Sequence, residues 1–331
     1  MRIGIVTQPL MANYGCLLQN YALQQVLRQL GHEPVTLDFL PVTGLRWYAK
    51  SLLRRLLKGA RYQPLFPKRP PLFDAFVQAH IATVPAGRRY RKSLLQRYHI
   101  DALIVGSDQV WRRFYNPETL EDMFLAFAGD FEGPRIAYAA SFGTGEWDAR
   151  PEEKKACAQL VKRFRAVSVR EPSGVRLCRE QLGVEAVLVP DPVRLLSRAD
   201  YLSLCEVVPV EKEPYIAAYV LDETLEAERQ LDAVAKAVGL LVRRCTCGKG
   251  ATLTVEQWLA LFRDAAVVVT DSFHGAVIAG IFGKECKLIE NPKRGLERFE
   301  TLKTPCSPEE IRRQGRAFLE QALNMQDHAS S

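Results

Sequence analysis

One histidine stands where a protein backbone can bind anions. His274 lies in Ala265–Lys284, AAVVVTDSFHGAVIAGIFGK, where a β-branched apolar run is followed by Ser272 and then by apolar residues at helical spacing. The pattern predicts a buried strand, an N-cap at Ser272 and a helix with His274 in its first turn. Free N–H groups at a helix start favour anions, and Gly275 lets a ligand approach the backbone. The imidazole could donate a proton or bind an anion, and a purely structural histidine is the alternative.

Polar side chains also follow the predicted strands of the N-terminal half. They are Ser107 and Asp108 after Asp101–Val105, Arg170 after Ala166–Val169, Asp191 after Val187–Val189, and Asn13 and Gln19 in the loop and helix after Arg2–Thr7. Since the carboxyl ends of parallel strands meet at one edge of a sheet, we expect these residues to line a ligand site. Each has a structural alternative, which is a helix cap or, for Arg170, an ion pair with Glu171 or Glu180.

Two further arginines, Arg294 and Arg298, lie in the loop after the last predicted strand. A guanidinium group binds phosphate or carboxylate through two parallel hydrogen bonds. Arg170 from one half of the chain and Arg294 or Arg298 from the other could therefore converge on a small anion. For Arg298, an ion pair with Glu297 or Glu300 is an equally good interpretation.

The predicted elements alternate between strand and helix in two sets, which is typical of an α/β protein with two Rossmann-like domains. We assign residues 1–196 to the N-terminal domain and 197–331 to the C-terminal domain, because the polar, proline-bracketed segment Ser197–Pro214 separates the sets. A final helix over 308–323 could cross back to the first domain. The sequence has no G-x-G-x-x-G, so a dinucleotide fingerprint is not supported.

The chain of 331 residues has a formal net charge of +7 that is concentrated in one segment. Residues 41–100 contain thirteen Lys or Arg and one acid, Asp74. Within this basic excursion, Leu45–Lys58 has a basic residue every fourth position and an apolar stripe opposite. It predicts an amphipathic helix suited to an anionic membrane surface, and a helix packed on its own domain is the alternative. Nucleic acid is not an expected partner, because no recognition module is present.

The sequence indicates a cytoplasmic protein, with peripheral docking on the inner membrane leaflet as a hypothesis. MRIGIVTQ enters a strand directly, and no apolar run reaches transmembrane length. The eight cysteines lack metal-ligand spacing, which favours buried free thiols and no bound metal. Cys16 lies at a predicted helix start, where the pKa of a thiol can be lowered, and we interpret it as structural.

Seven motifs in order make the chain resemble the polysaccharide pyruvyl transferase family. They are GIVTQPLMANYGCLLQNYALQ, DALIVGSDQVW, YAASFGT, VSVREPSG, VPDPV, VVVTDSFHGAVIAGIFGK and NPKRGLERFETL. Together they span most of the chain, and their ordered combination is more specific than any one of them. Cys16 departs from the small residue usual there, and the region from Leu45 to Tyr90 matches nothing in the family.

The resemblance implies a fold like the B-type glycosyltransferases, with the active site in the cleft between two domains. It implies phosphoenolpyruvate as donor and, as acceptor, a sugar of a cell-surface polysaccharide such as an exopolysaccharide, or of its lipid-linked precursor. The product would be a pyruvate ketal bridging two hydroxyl groups, with no cofactor besides this co-substrate. The histidine and donor-binding cations of the family correspond to His274, Arg170 and Arg294.

Ketal formation from phosphoenolpyruvate gives each candidate residue a role. His274 would protonate the enol methylene or orient the phosphate, and Asp108 or Asp191 would act as base on the acceptor. The donor would bind the arginines and the backbone N–H groups after Ser272, where Gly275 keeps the approach open. The predicted acceptor contacts are Asn13, Gln19, Ser107 and Asp191.

Two other functions fit the same sequence. The first is a glycosyltransferase that uses a nucleotide-sugar donor on this scaffold, which requires a base-stacking pocket in the second domain. The second is a non-enzymatic protein that binds glycans or membranes through its basic segment, without releasing phosphate.

Overall fold

The computed structural model describes residues 1–39, 69–87, 89–289, 299–303 and 306–324. The amphipathic helix predicted at Leu45–Lys58 and the loop carrying Arg294 and Arg298 lie outside these ranges, so their predicted roles stay predictions. Within the described ranges, no helix combines the length and the apolar character needed to cross a bilayer.

The N-terminal half forms one sheet of seven strands. These are β1 (Arg2–Val6), β2 (Glu33–Asp38), β3 (Thr83–Pro85), β4 (Ala102–Gly106), β5 (Arg135–Ala140), β6 (Ala166–Val169) and β7 (Val187–Leu188). Their order in the sheet is β3-β2-β1-β4-β5-β6-β7, and all neighbours are parallel. Every residue of β4 and β5 is buried, as expected for central strands of a sheet with both faces covered.

Helices connect these strands and lead out of the sheet. They are α1 (Tyr14–Gln29), α2 (Pro71–His80), α3 (Ser93–Arg97), α4 (Pro151–Val161), α5 (Pro172–Leu177) and α6 (Arg198–Cys205). α1 begins where the side chain of Asn13 accepts a hydrogen bond from the Cys16 N–H at 3.1 Å. It ends before Gly31, whose φ of 81° lies in the left-handed region that favours glycine.

The C-terminal half forms a second parallel sheet, followed by helices that end the described chain. Its elements are β8 (Tyr215–Tyr219), α7 (Leu225–Val238), β9 (Leu241–Cys245), α8 (Val255–Asp264), β10 (Val267–Thr270), α9 (Phe273–Ile281), β11 (Glu285–Leu288), α10 (Glu300–Lys303) and α11 (Pro308–Asn324). The strand order is β11-β10-β8-β9. The prediction of two Rossmann-like units is confirmed, while the boundary at residues 196 and 197 stays a prediction.

Regular structure also occurs where the sequence did not predict it, for example in two segments. The segment Ser197–Pro214, interpreted as a crossing, contains α6, which Ser197 and Asp200 cap reciprocally and which buries Tyr201. The described part of the basic excursion contains α2, β3 and α3. These elements are short, so hydrophobic periodicity gave too few repeats to reveal them.

An aromatic cluster joins the two sheets. The ring of Tyr14 in α1 stacks on Trp258 of α8, with 5.0 Å between centroids and 9° between planes. The Tyr14 hydroxyl donates a hydrogen bond to the Leu253 carbonyl at 2.8 Å. Phe73 and Tyr219 also contact the Tyr14 ring, and all four aromatic residues are buried. The hydrophobic core therefore continues from one sheet to the other.

Helix α11 returns the end of the described chain to the first sheet. The side chain of Gln314 donates to the Leu188 carbonyl of β7 at 2.9 Å, and Phe318 contacts Tyr138 of β5. A Cβ atom at Gly315 would overlap Leu195 and the Tyr138 hydroxyl, so the helix needs a glycine at this crossing. These contacts tie the C-terminal helix to the first sheet.

The aromatic cluster predicts unequal costs for two substitutions. Trp258→Ala is expected to lower the free energy of unfolding by about 3 to 5 kcal/mol, because a cavity replaces a buried ring. Tyr14→Phe keeps the stacked ring and loses only the hydrogen bond to Leu253, at a cost of about 1 kcal/mol. Urea unfolding measures both changes. Equal decreases in the free energy of unfolding of the two variants would contradict an interface between the sheets that is stabilised mainly by ring packing.

Candidate functional site at the meeting of the two sheets

The element that carries His274 is the turn between β10 and α9. The β-branched residues of β10 are fully buried, and Thr270 ends the strand by donating its hydroxyl to the Tyr219 carbonyl at 2.6 Å. Ser272 then caps α9, because its Oγ accepts from the Gly275 N–H at 3.3 Å. A Cβ at Gly275 would lie 2.6 Å from Thr270 Oγ1, so the glycine lets the helix pack closely against the strand end. His274 is thereby fixed in the first turn.

His274 lies between this helix start and the start of α1. Its ring packs directly on Gly15, where any Cβ would overlap the imidazole at Nδ1. On its other side, His274 Nε2 is 3.6 Å from Asp191 Oδ2, which is beyond hydrogen-bond distance. Only 9% of the residue is exposed, and Nε2 has no hydrogen-bond partner among the described residues. The imidazole thus has an unsatisfied polar atom close to a carboxylate of the other sheet.

Asp191 belongs to a buried network centred on Arg170. Arg170 donates to Asp191 Oδ2 at 2.7 Å and to Asp108 Oδ1 at 3.3 Å, and its Nε is 3.7 Å from Glu171 Oε2. Its guanidinium also lies 5.2 Å from the centre of the Phe273 ring, a cation–π contact to the second sheet. The ion-pair alternative for Arg170 therefore describes this structure, although the partners are mainly Asp191 and Asp108.

Electrostatics keeps Asp191 ionised despite its burial. Desolvation alone would raise the pKa of Asp191, but the neighbouring His274 and Arg170 side chains and the Val193 N–H hold it well below its usual range. The neighbouring Glu171 behaves differently, because burial raises its pKa against the opposing effects of Arg170 and the Ser141 hydroxyl. Asp191 is therefore the stable anion that faces His274.

A bulge in β5 brings Ser107 into this network. The pairing of β5 with β6 shifts register between Ala137 and Ala140, and Ala139 has a positive φ of 50°. Ser168 fills the irregularity by accepting from the Ala139 N–H and donating to the Ala137 carbonyl. The hydroxyl of Ser107 lies 3.1 Å from the Ala139 carbonyl and 3.0 Å from Asp191 Oδ2. Bulges of this kind often occur next to active sites, where they redirect polar groups.

Asp108 stands at the rim of the network. Its backbone has a left-handed φ of 64°, which is uncommon for a residue with a side chain. Its carbonyl accepts from the Val110 and Ser141 N–H groups, which hold this conformation. The side chain is 16% exposed, against 3% for Arg170. Of the two predicted bases, Asp108 is the one that a bound molecule could reach directly.

The predicted acceptor contacts are engaged within the protein. Gln19 and Ser107 have no exposed surface, Asp191 is 1% exposed, and each has hydrogen-bond partners inside the first sheet. Asn13 is exposed, and its side chain caps α1. In this conformation, three of the four therefore have no surface for a sugar, because burial takes up their polar groups. Cys16 is also buried, and burial raises the pKa of its thiol.

Two residues at the site were not singled out from the sequence. Gly15 is not among the predicted site residues, and its contact with His274 depends on how the two sheets pack. Arg194 follows Asp191 in a short 3-10 helix and donates to the Thr301 carbonyl at 3.2 Å. Desolvation lowers the pKa of Arg194, although Asp191 opposes that shift. The sequence signal that could have found Arg194 is its position at the end of VPDPVR, three residues after the predicted site residue Asp191.

Solved structures share this architecture. The UDP-GlcNAc 2-epimerase of Methanocaldococcus jannaschii, in complex with UDP-GlcNAc and UDP, has a TM-score of 0.50 at 11% identity, covering 98% of this chain and 94% of that chain. The enzyme of Neisseria meningitidis, bound to UDP-GlcNAc, also has a TM-score of 0.50 at 11% identity, covering 98% of this chain and 100% of that chain. At this identity the likeness shows the fold alone. The protein has a fold of the B-type glycosyltransferase kind, as predicted.

The family follows from the sequence match. The model of the polysaccharide pyruvyl transferase family matches residues 13–291, which include His274, Arg170 and Asp191. The chain belongs to this family, and the resemblance carried by its motifs is confirmed. A search of curated protein sequences found no match.

The same substitution is expected to have opposite effects at two glycines. Gly15→Ala is expected to lower the free energy of unfolding by about 1 to 3 kcal/mol, because the new methyl group overlaps the His274 ring. Gly280→Ala, in the helix of His274, is expected to raise it by up to about 1 kcal/mol, since alanine favours a helix and nothing lies within 4 Å of the site. Chemical denaturation compares them. A stabilised Gly15→Ala would contradict the contact with His274.

Because Asp191 is ionised in the folded protein, the loss of stability caused by Asp191→Asn is expected to depend on pH. Because the folded pKa is lowered, the stabilisation is complete above the unfolded pKa of about 3.9 and is lost as pH falls below it. At pH 7 the variant should lose about 3 to 5 kcal/mol, and the difference from wild type should shrink between about pH 4 and pH 2. Unfolding measured across this range tests it, and a difference independent of pH would contradict it.

Proposed function

We propose that the protein transfers the pyruvyl group of phosphoenolpyruvate to a sugar of a cell-surface polysaccharide or of its lipid-linked precursor. The family match supports a pyruvyl transferase that acts in polysaccharide synthesis. At the level of residues, the proposal rests on the position of His274. Its Nε2 has no hydrogen-bond partner among the described residues and lies beside Asp191, where the carboxyl edges of the two sheets meet. This is the position at which open α/β folds bind their ligands.

The reaction needs one proton at carbon and one leaving phosphate. A proton is added to the enol methylene, the bond between the enol carbon and the phosphate oxygen breaks, and two sugar hydroxyls form the ketal. One hydroxyl proton balances the new methyl group and the other leaves with phosphate. His274 is our candidate for the acid, because an imidazolium there would have Asp191 as its counter-ion. In this scheme Arg170 and Ser107 position Asp191.

The donor is a small anion with phosphate and carboxylate groups. The starts of α1 and α9 converge on His274. The predicted donor N–H groups of Ser272 and Gly275 are engaged with Thr270 Oγ1 and Ser272 Oγ, so we assign the phosphate to the N–H groups between them, at Phe273 and His274. Arg170 already balances three carboxylates, so we assign it to positioning rather than to direct donor binding. The remaining cations of the proposal are Arg194, Arg294 and Arg298.

The acceptor hydroxyl must lose its proton as it attacks. Asp108 is our candidate for the base, because it combines partial exposure with a hydrogen bond to the buried Arg170. Asp191 is a poor base in this arrangement, since its lowered pKa and full burial disfavour proton uptake from an acceptor.

The proposal predicts a specific product and a large effect of one side chain. Wild-type protein incubated with phosphoenolpyruvate and model glycosides should release phosphate and give products with the mass gain of a pyruvate ketal. His274→Gln should slow turnover by about 100- to 10,000-fold, as expected for loss of a general acid. Mass spectrometry and phosphate release measure both.

A matched histidine variant and a donor test complete the experiment. The control is His32→Gln. His32 directly precedes β2 and so lies at the amino ends of the strands, away from the candidate site, and this variant should keep wild-type turnover. Phosphoenolpyruvate should raise the melting temperature of wild-type protein. A melting temperature raised by UDP-GlcNAc but not by phosphoenolpyruvate would favour a nucleotide-sugar enzyme instead. Full turnover in His274→Gln would show that His274 is not the general acid.

A further inference from the structure

Two adjacent aromatic side chains are exposed to solvent on the loop that follows β4. Phe114 is 70% exposed and Tyr115 is 44% exposed. Their ring centroids are 5.2 Å apart, and the ring planes are nearly perpendicular at 83°. Within the described ranges, the other large apolar side chains that are exposed to a comparable degree are aliphatic. Phe114 and Tyr115 therefore form the exposed aromatic surface of this part of the protein.

The backbone beneath the rings is firmly held. The Asp148 carboxylate accepts hydrogen bonds from the Arg113 N–H at 2.8 Å and the Phe114 N–H at 2.7 Å. Arg113 Nε lies 3.0 and 2.7 Å from the two carboxylate oxygens of Glu153. The exposure of the Phe114 ring is therefore not a consequence of an unsupported loop. Covering an exposed aromatic ring with a ligand would be favourable, because apolar surface is then removed from water.

A chain of contacts connects this surface to the candidate active site. The guanidinium carbon of Arg112 lies 5.5 Å from the Phe114 centroid and 5.3 Å from the Tyr115 centroid. Arg112 also donates to Gln109 Oε1 at 2.7 Å. Gln109 follows Asp108 directly and donates its own N–H to the Asp108 carboxylate at 2.9 Å. The aromatic surface thus shares one short loop with the candidate base.

We propose that Phe114 and Tyr115, together with Arg112, bind a pyranose ring of the acceptor glycan. One face of a pyranose presents C–H groups, which pack on the negative face of an aromatic ring, while its hydroxyls can accept from a guanidinium. The buried Gln19, Ser107 and Asp191 cannot offer such a surface in this conformation. The identity of the ligand class rests on the proposed function, while the surface itself rests on exposure, anchoring and connection to Asp108.

Binding of simple sugars tests this without requiring turnover. A panel of methyl pyranosides is titrated against the full-length protein, and binding is followed by saturation-transfer NMR. Phe114→Ala should weaken the affinity for the best-binding glycoside about tenfold. This loss corresponds to about half the free energy gained by burying one aromatic side chain. Tyr115→Ala should weaken binding in the same direction, and Phe114→Trp should retain it.

The control is Val207→Ala, which removes an apolar side chain that is 77% exposed outside the candidate site. It should bind glycosides like wild type. Each variant is also checked for an unchanged unfolding midpoint and for unchanged stabilisation by phosphoenolpyruvate, which keeps acceptor binding separate from donor binding and folding. Loss of glycoside binding in Phe114→Ala with intact donor binding supports the surface, even if no ketal forms and the proposed reaction is wrong.

Two results would overturn the inference. The first is unchanged glycoside affinity in both alanine variants when wild type binds the same glycoside. The second is binding of wild type to vesicles containing anionic phospholipid that is lost in Phe114→Ala, while glycoside binding is kept. That second result would make the rings a membrane contact, since aromatic and arginine side chains also suit a bilayer interface.

Discussion

A buried guanidinium must be balanced by carboxylates, and in this protein that requirement organises the meeting of two sheets. Arg170 is 3% exposed and faces Asp191, Asp108 and Glu171. Asp191 is shared, because one oxygen accepts from Arg170 of the first sheet and faces His274 of the second. A charge buried on one side of the interface therefore depends on groups from both sides. Removing one partner of such a pair leaves a buried charge without compensation, so substitution of either partner is expected to be costly.

This balance has a consequence for ligand binding. The carboxylates around Arg170 leave it little spare positive charge for the anionic donor that we propose. The converging starts of α1 and α9 would then supply the positive field for that donor. The UDP-GlcNAc 2-epimerases share this fold at 11% identity, and a shared fold does not by itself define a ligand. The chemistry of the site is set by the side chains at the strand ends, among them His274 with its contacts with Gly15 and Asp191.

Much of the fold could be predicted from local patterns. The buried β-branched run before Ser272, the cap and the small residues after it correctly predicted β10 and α9. The shorter elements α6 and β3 were missed. α6 has eight residues and β3 has three, so the hydrophobic pattern of each repeats too few times to be recognised. The strand ends also indicated which residues would gather at one edge, since parallel topology fixes that edge.

The partners of those residues could not be predicted in the same way. The sequence suggested Glu171 or Glu180 for Arg170, whereas its shortest ion pair is with Asp191. That pair depends on the position of β7 beside β6, for which the sequence has no local signal. Likewise, Gly15 and His274 are far apart in the chain and touch only because the sheets pack together.

The most direct test of this account is the coupling between Asp191 and His274 across the interface. A double-mutant cycle with Asp191→Asn and His274→Gln, measured as free energies of unfolding at neutral pH, isolates it. We predict that the two substitutions are non-additive by about 0.5 to 3 kcal/mol, as for residues in one buried network. Additivity within about 0.3 kcal/mol would mean that the two sheets do not share this charge, and it would contradict the central claim.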